Sequence, residues 1–256
     1  MDIKDKIIVI TGGANGIGAA MARRFAEAGA RHIVCADRDM VGAQAVAVEI
    51  GGTAIQTDVS VEADIRSLIE TVERDIGPID LFVSNAGIIM SGGVEVPDDA
   101  WQKIWEINVQ AHIRAARILV PLMLERGNGY IVSTASAAGL LAQIGSAPYS
   151  VTKHAAVSFA EWLAITYGGE GLKVSVLCPQ GVETAMTADI NTSTVAADGM
   201  LTAEAVAQSV LEGIEEERFL ILPHPKVAEY IKQKGSDPER WIAGMQRWQE
   251  RLKGPA

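Results

Sequence analysis

A chain of 256 residues with 48% apolar content can bury a large core, which excludes a disordered protein and allows one or two domains. Its 22 Lys and Arg against 32 Asp and Glu leave a formal charge of −10 with no basic block, which argues against nucleic acid and anionic membrane surfaces as partners. Cys35 and Cys178 lie in apolar runs without Cys-x-x-Cys spacing, so buried packing thiols in a reducing compartment are expected.

Residues 1–6 lead directly into a strand and leave no room for a signal peptide, and no apolar run approaches the ~20 residues of a membrane span. A cytoplasmic protein is the expectation. Short β-branched runs at 6–10, 32–36, 53–57, 79–84, 130–134, 172–177 and 219–222 read as strands. Helical patterns fill most of the gaps, at 16–28, 40–50, 61–75, 98–125 and 148–167, the last with Pro148 in its first turn. Ile- and Val-rich strands alternating with helices predict an α/β fold: one doubly wound, Rossmann-like parallel sheet of about seven strands, covered on both faces. The whole chain, 1–256, then forms a single domain. A region at about 185–217 contains a long small-and-polar stretch, 185–200, expected to act as a lid, and a helical tail follows at about 225–253.

In such sheets ligands bind beyond the carboxyl ends of the strands, and the unusual residues of this chain gather there. The first strand runs into Thr11-Gly12-Gly13-Ala14-Asn15-Gly16-Ile17-Gly18. Glycines at 12, 16 and 18 allow a tight turn and a close approach of backbone to a pyrophosphate at the helix N-terminus. Asp37, nineteen residues after Gly18, suits a ribose diol and repels a 2′-phosphate, favouring NAD over NADP. It is equally a turn residue, and Arg38 beside it would meet a phosphate if turned inward. Asp58 and Val59 follow the third strand, where Asp58 faces an adenine edge or serves the following helix, whose cap Ser60 suits better. Asn85, Ala86 and Gly87 follow the fourth, either as a close approach to the adenine ribose or as a simple turn. Asn108 interrupts the long helix on the stripe of Trp101, Ile104, Ala111 and Ala115, a costly place for an amide without partners. Ser136 ends the fifth strand, and Tyr149 and Lys153 share one helical face, where an ammonium would lower a phenol's pKa. No zinc-protease or serine-hydrolase motif is present, and no metal site is expected.

Thr-Gly-x-x-x-Gly-x-Gly, Asn-Ala-Gly, a mid-helix Asn, Ser and Tyr-x-x-x-Lys, in this order and spacing, closely resemble the short-chain dehydrogenase/reductase family from Thr11 to about Thr184. The resemblance implies a tetrad of Asn108, Ser136, Tyr149 and Lys153. Tyr149 would be the general acid/base and Ser136 would bind the substrate oxygen. Lys153 would hold the nicotinamide ribose and lower the Tyr149 pKa, and Asn108 would hold a relay water. It also implies NAD contacts from Asn15 and Ile17 in the glycine turn and from Pro179, Val182 and Thr184 after the sixth strand. Two positions depart from the family: Ser84 replaces the first Asn of Asn-Asn-Ala-Gly, and Gln180 replaces the Gly after Pro179.

The expected reaction is hydride transfer between NAD(H) and a secondary alcohol or ketone. Ile88, Ile89, Met90, Leu140, Leu141, Ile144 and Met186 make a hydrophobic small-molecule substrate the expectation, with Gln143 and Gln180 as polar exceptions. The alternatives are a 3-oxoacyl thioester reductase using NADPH and a non-catalytic NAD-binding sensor. Trp241, Met245, Trp248 and Leu252 form a stripe in the tail that packs on its own subunit, joins a subunit contact or walls the pocket. The resemblance further implies a homodimer or homotetramer.

Overall fold

The computed structural model describes residues 1–188 and 196–253. Seven strands, β1 (Ile7–Thr11), β2 (His32–Asp37), β3 (Thr53–Gln56), β4 (Leu81–Ser84), β5 (Gly129–Thr134), β6 (Leu172–Leu177) and β9 (Leu220–Ile221), form one parallel sheet in the order β3-β2-β1-β4-β5-β6-β9. The doubly wound sheet expected from the sequence is therefore present. Alternation along β1 sorts its side chains to two cores. Ile8 and Ile10 pack with α1 (Gly16–Glu27), α2 (Met40–Ile50) and α8 (Ala203–Glu215), while Ile7 and Val9 pack with the helices of the other face. Those helices are α3 (Glu62–Asp75), α5 (Ala111–Glu125) and α6 (Ala147–Tyr167). Cys35 and Cys178 are buried free thiols that burial pushes up to about 11 and about 12, consistent with a packing role.

Several boundaries differ from the sequence expectation. The fourth strand is Leu81–Ser84, and Ile79 ahead of it gives its N–H to the Glu73 carboxylate (2.9 Å). The helix expected over 98–125 is α4 (Asp98–Trp105), a π-helical turn (Glu106–Gln110) and α5. Two short strands not foreseen, β7 (Val182–Glu183) and β8 (Leu201–Thr202), pair in parallel and bracket α7 (Ala185–Ala188) and residues 189–200. Within the expected lid region, α8 is a core helix with Val206, Val210, Leu211 and Ile214 buried against α1. The stretch expected to be the lid lies partly outside the described residues. The tail folds as two helices, α9 (Lys226–Ser236) and α10 (Pro238–Lys253). Asp237 caps the second by accepting from the Arg240 N–H (3.0 Å), and Pro238 occupies its first position. Among the described residues no helix is long and apolar enough to cross a membrane, and no cluster of His, Cys, Asp and Glu could hold a metal ion.

Candidate active site

The strand order reverses direction at β1 and β4, and the crevice at their carboxyl ends is the switch point of the fold. Thr11, the last residue of β1, ties the two ends together. Its hydroxyl donates to the Val83 carbonyl (3.2 Å) and accepts from the N–H groups of Asn85 (2.9 Å) and Ala86 (3.2 Å). The Asn85 amide donates back to the carbonyls of Thr11 (3.0 Å) and Gly12 (3.4 Å), so this side chain locks the turn. Gly12 has φ 68°, and a Cβ there would lie 3.0 Å from the Ala86 Cα and from Asn85 Nδ2. Gly16, with φ 52°, faces Thr184, whose Cγ2 would be 3.2 Å from an added Cβ. Gly18 serves packing instead, since its added Cβ would meet the Gly12 carbonyl at 2.0 Å. Asn15 precedes α1 without a side-chain cap, leaving the helix N-terminus facing the crevice without a side-chain acceptor from that position.

A cleft of about 500 Å³ runs from this glycine turn to the end of β6. At one end stand Gly12, Asn15, Gly16, Ile17 and Asp37, with Arg38 and Asp39 beside them. Asn85, Ala86 and Gly87 form its middle, and Ser136, Tyr149, Lys153, Pro179, Val182 and Thr184 the far end. The Asp37 carboxylate is fixed by the N–H groups of Ala14 (3.1 Å) and Asp39 (2.9 Å), each bonded to a different oxygen. Four expected site residues do not line the cleft: Gly18, Asp58, Val59 and Asn108. Val59 is buried in the core beside α3. Asp58 accepts from the hydroxyl (2.6 Å) and N–H (2.9 Å) of Ser60, which hold its carboxyl below the usual range. Ser60 therefore bonds Asp58 rather than capping α3, whose N-cap is Val61.

Asn108 stands behind the cleft, fully buried in the π-helical turn. Its amide donates to the Ile88 carbonyl (3.0 Å) and the Thr152 hydroxyl (3.2 Å), and its carbonyl accepts from the Ile88 N–H (2.9 Å). A Cβ on Gly87 would lie 3.3 Å from both Asn108 Oδ1 and Lys153 Nζ, so this glycine separates the two groups at contact distance. Lys153, one helical turn beyond Tyr149 on α6, is 3% exposed and donates to the Thr134 carbonyl (2.9 Å). Its Nζ lies 5.7 Å from the Tyr149 ring centroid. The Ser136 hydroxyl accepts from the Ala138 N–H (3.1 Å) and donates to the Pro179 carbonyl (3.4 Å), and it acts on the Tyr149 phenol by lowering its pKa.

Burial pushes the Tyr149 phenol above its ordinary value, and Ser136 works against this. Burial also pulls the Lys153 ammonium down to about 8. Thr11, Thr134 and Thr152 were not singled out from the sequence as site residues, although a hydroxyl at the end of a fully buried strand, as at Thr11, is a usable signal. Thr134 contributes a backbone carbonyl, which carries no sequence signature.

Of the residues expected around the substrate, Ile88, Ile89, Met186, Gln143 and Gln180 line this cleft. Leu141 and Ile144 line a second cavity, which Gln143 and Gln180 share. Leu140 packs against the core, and the Met90 carbonyl accepts from the Ser146 hydroxyl, pinning the loop after β4 to the start of α6.

Residues 6–194 match the family model described as short chain dehydrogenase. The chain is 32% identical over 252 residues to the 1-deoxy-11-beta-hydroxypentalenate dehydrogenase of Streptomyces exfoliatus, covering 95% of this chain and 92% of that protein. It is 34% identical over 191 residues to the meso-2,3-butanediol dehydrogenase of Serratia marcescens, covering 73% of this chain and 75% of that one. A solved short chain dehydrogenase/reductase from Burkholderia phymatum, in complex with NAD, superposes with a TM-score of 0.84 at 30% identity, covering 93% of this chain and 96% of that one. The matched span carries β1 to β7 and contains Asn108, Ser136, Tyr149 and Lys153, and the chain belongs to the short-chain dehydrogenase/reductase family of oxidoreductases.

Proposed function

We propose that the protein transfers hydride between NAD(H) and a secondary alcohol or ketone with apolar substituents, with Tyr149 as general acid/base. The observation that carries this reading is the convergence of Ser136, Tyr149 and Lys153 on one wall of the dinucleotide-sized cleft, with Asn108 directly behind. The cleft fits such a cofactor: left-handed glycines at 12 and 16 keep side chains out of its path, and an uncapped helix N-terminus faces it. When bound, the nicotinamide supplies the hydride donor or acceptor. Asp37 would hold the adenine ribose diol, and the carboxylates of Asp37 and Asp39 together disfavour a 2′-phosphate despite Arg38. Pro179, Val182 and Thr184 would border the nicotinamide end.

In the oxidation direction, the Tyr149 phenolate takes the carbinol proton; in reduction, the phenol returns it. Ser136, which lines the cleft beside that phenol, would orient the substrate oxygen toward it. Burial disfavours the phenolate, and the positive charge of an oxidised nicotinamide, when bound, would join Lys153 in offsetting it. Lys153 is held by Thr134 at the position where a ribose hydroxyl would complete its hydrogen bonding. Asn108 spends its amide on Ile88 and Thr152, which fixes the turn beneath Gly87 and the start of the substrate loop. Assembly into a homo-oligomer is supported by the outer face of α6, where Val151, Trp162 and Ile165 are exposed.

The test is a panel of secondary alcohols and ketones with NAD and NADP, run on the wild type and Tyr149→Phe. Turnover should fall by about 10³-fold or more in the variant, with NADH affinity within a few-fold, since a general acid/base contributes about 10²–10⁴. Retained turnover in Tyr149→Phe would remove the assignment.

A further inference from the structure

Beside the cleft lies a second cavity of about 340 Å³, within the range of small-molecule sites. The two are joined by shared walls: Ala137 and Ala138, directly after Ser136, with Gln143 and Gln180. Beyond that neck the lining turns apolar, with Leu141 and Ile144 on one side and Trp241, Met245 and Trp248 of α10 on the other. Among the described residues, the α10 stripe belongs to neither of the two hydrophobic cores, and the helix packs mainly on α9. A stripe spaced i, i+4, i+7 and left half-buried between a partner helix and a cavity is a wall rather than a core contact.

The wall is held in place by three polar ties. Lys234 of α9 donates to the Leu140 carbonyl (2.7 Å), joining α9 to the loop that forms the facing side. Asp198 receives the Tyr230 hydroxyl (3.1 Å) and pairs with Lys226 (3.1 Å), and the Tyr230 ring sits 6.0 Å from that of Trp241. His224, just before α9, accepts from the Gln180 N–H (3.2 Å) at the neck. These ties fix α9 against both the neck and the opposite loop, so the chamber is preformed.

We propose that this chamber receives the apolar body of the substrate while its carbinol carbon sits at Tyr149, and that the enzyme acts on bulky alicyclic alcohols and ketones in preference to short acyclic ones. The inference rests on the hydride-transfer reading above, and its occupant follows from continuity with the reaction cleft across the neck.

Decahydro-2-naphthol and butan-2-ol are the probes, assayed as kcat/KM with NAD and NADP on the wild type, Trp241→Ala and Gly244→Leu. Gly244 lines the chamber, and among the described residues a Cβ there meets only the end of Arg247 at 3.8 Å, so leucine fits the helix while filling the cavity. The wild type should prefer the bicyclic alcohol by a hundredfold or more. Each variant should lower kcat/KM for it at least tenfold more than for butan-2-ol, chiefly through KM. No preference for the bicyclic alcohol, or equal losses on both alcohols, would overturn the inference while leaving the hydride-transfer reading intact. Indole emission during titration with 2-decalone separates the two further. A change present in the wild type and absent in Trp241→Phe/Trp248→Phe supports the chamber even if no alcohol is oxidised, in which case only the hydride-transfer reading fails. Unchanged emission in the wild type counts against the chamber.

Discussion

His112 should make this protein acid-sensitive in a way that one substitution removes. The side chain lies on α5, one turn beyond Asn108, 3% exposed, and neither ring nitrogen has a hydrogen-bond partner among the described residues. Burial, helped by the charge of Lys153, lowers its pKa from 6.5 to about 3. The unfolded chain therefore binds the extra proton between these values and the folded protein does not. Stability is at full strength above pH 6.5 and falls as the pH drops below it. At pH 5.5 the penalty is about 1.4 kcal/mol relative to pH 7.5, one pKa unit's worth. That pH still lies above the isoelectric point of about 4.9, which keeps the protein away from its least soluble condition. His112→Leu preserves volume and removes the titration. Urea unfolding of both proteins at the two pH values, followed by circular dichroism, isolates the effect because all other groups are common to both. Wild type should lose about 1.4 kcal/mol more than the variant between pH 7.5 and 5.5. Equal losses would refute the claim that this imidazole is held neutral by burial.

Asp37→Ser should raise the NADP/NAD ratio of kcat/KM at least tenfold, about 1.4 kcal/mol, by removing a carboxylate from the place of the 2′-phosphate; an unchanged ratio takes Asp37 out of cofactor selection. Gly18→Ala should destabilise the fold by about 2–3 kcal/mol in urea titrations despite alanine's better helix propensity, because its Cβ would sit 2.0 Å from the Gly12 carbonyl. Asn108→Ala strips partners from the Ile88 N–H and carbonyl and from Thr152, and should cost about 3 kcal/mol together with most of the activity. A variant that loses activity at wild-type stability would separate a chemical role for Asn108 from this scaffolding one.

The sheet was legible because its strands are short, mostly β-branched runs, buried along their whole length in β1, β4 and β5. The Ser136, Tyr149 and Lys153 spacing was legible because a strand end and a helical turn are both local. What escaped is what depends on direction and depth. Spacing places Asp58, Val59 and Gly18 at strand or helix ends, yet only the packed chain shows them turned away from the cleft, toward Ser60, the core and Gly12. The sign of the Tyr149 shift hinges on how deeply the phenol is buried, which no i, i+4 rule contains. Asp198, Lys226 and Tyr230 are separated by up to 32 residues and meet only because α9 folds back over the pocket. The break between α9 and α10 falls at Ser236-Asp237-Pro238, a capping sequence that stands in the chain itself.

The π-helical turn at Glu106–Gln110 has a consequence for how the long helix tolerates change. A π turn carries roughly one residue more than an α turn, which rotates everything after it by about 100° relative to everything before. The faces of α4 and α5 are thereby set out of phase, so that α4 packs against α6 while α5 keeps Ala115, Leu119 and Met123 in the core. Removing a single residue from this turn would leave a smoother helix and a wrong protein: either Asn108 loses Ile88, or the whole inner face of α5 swings off the core.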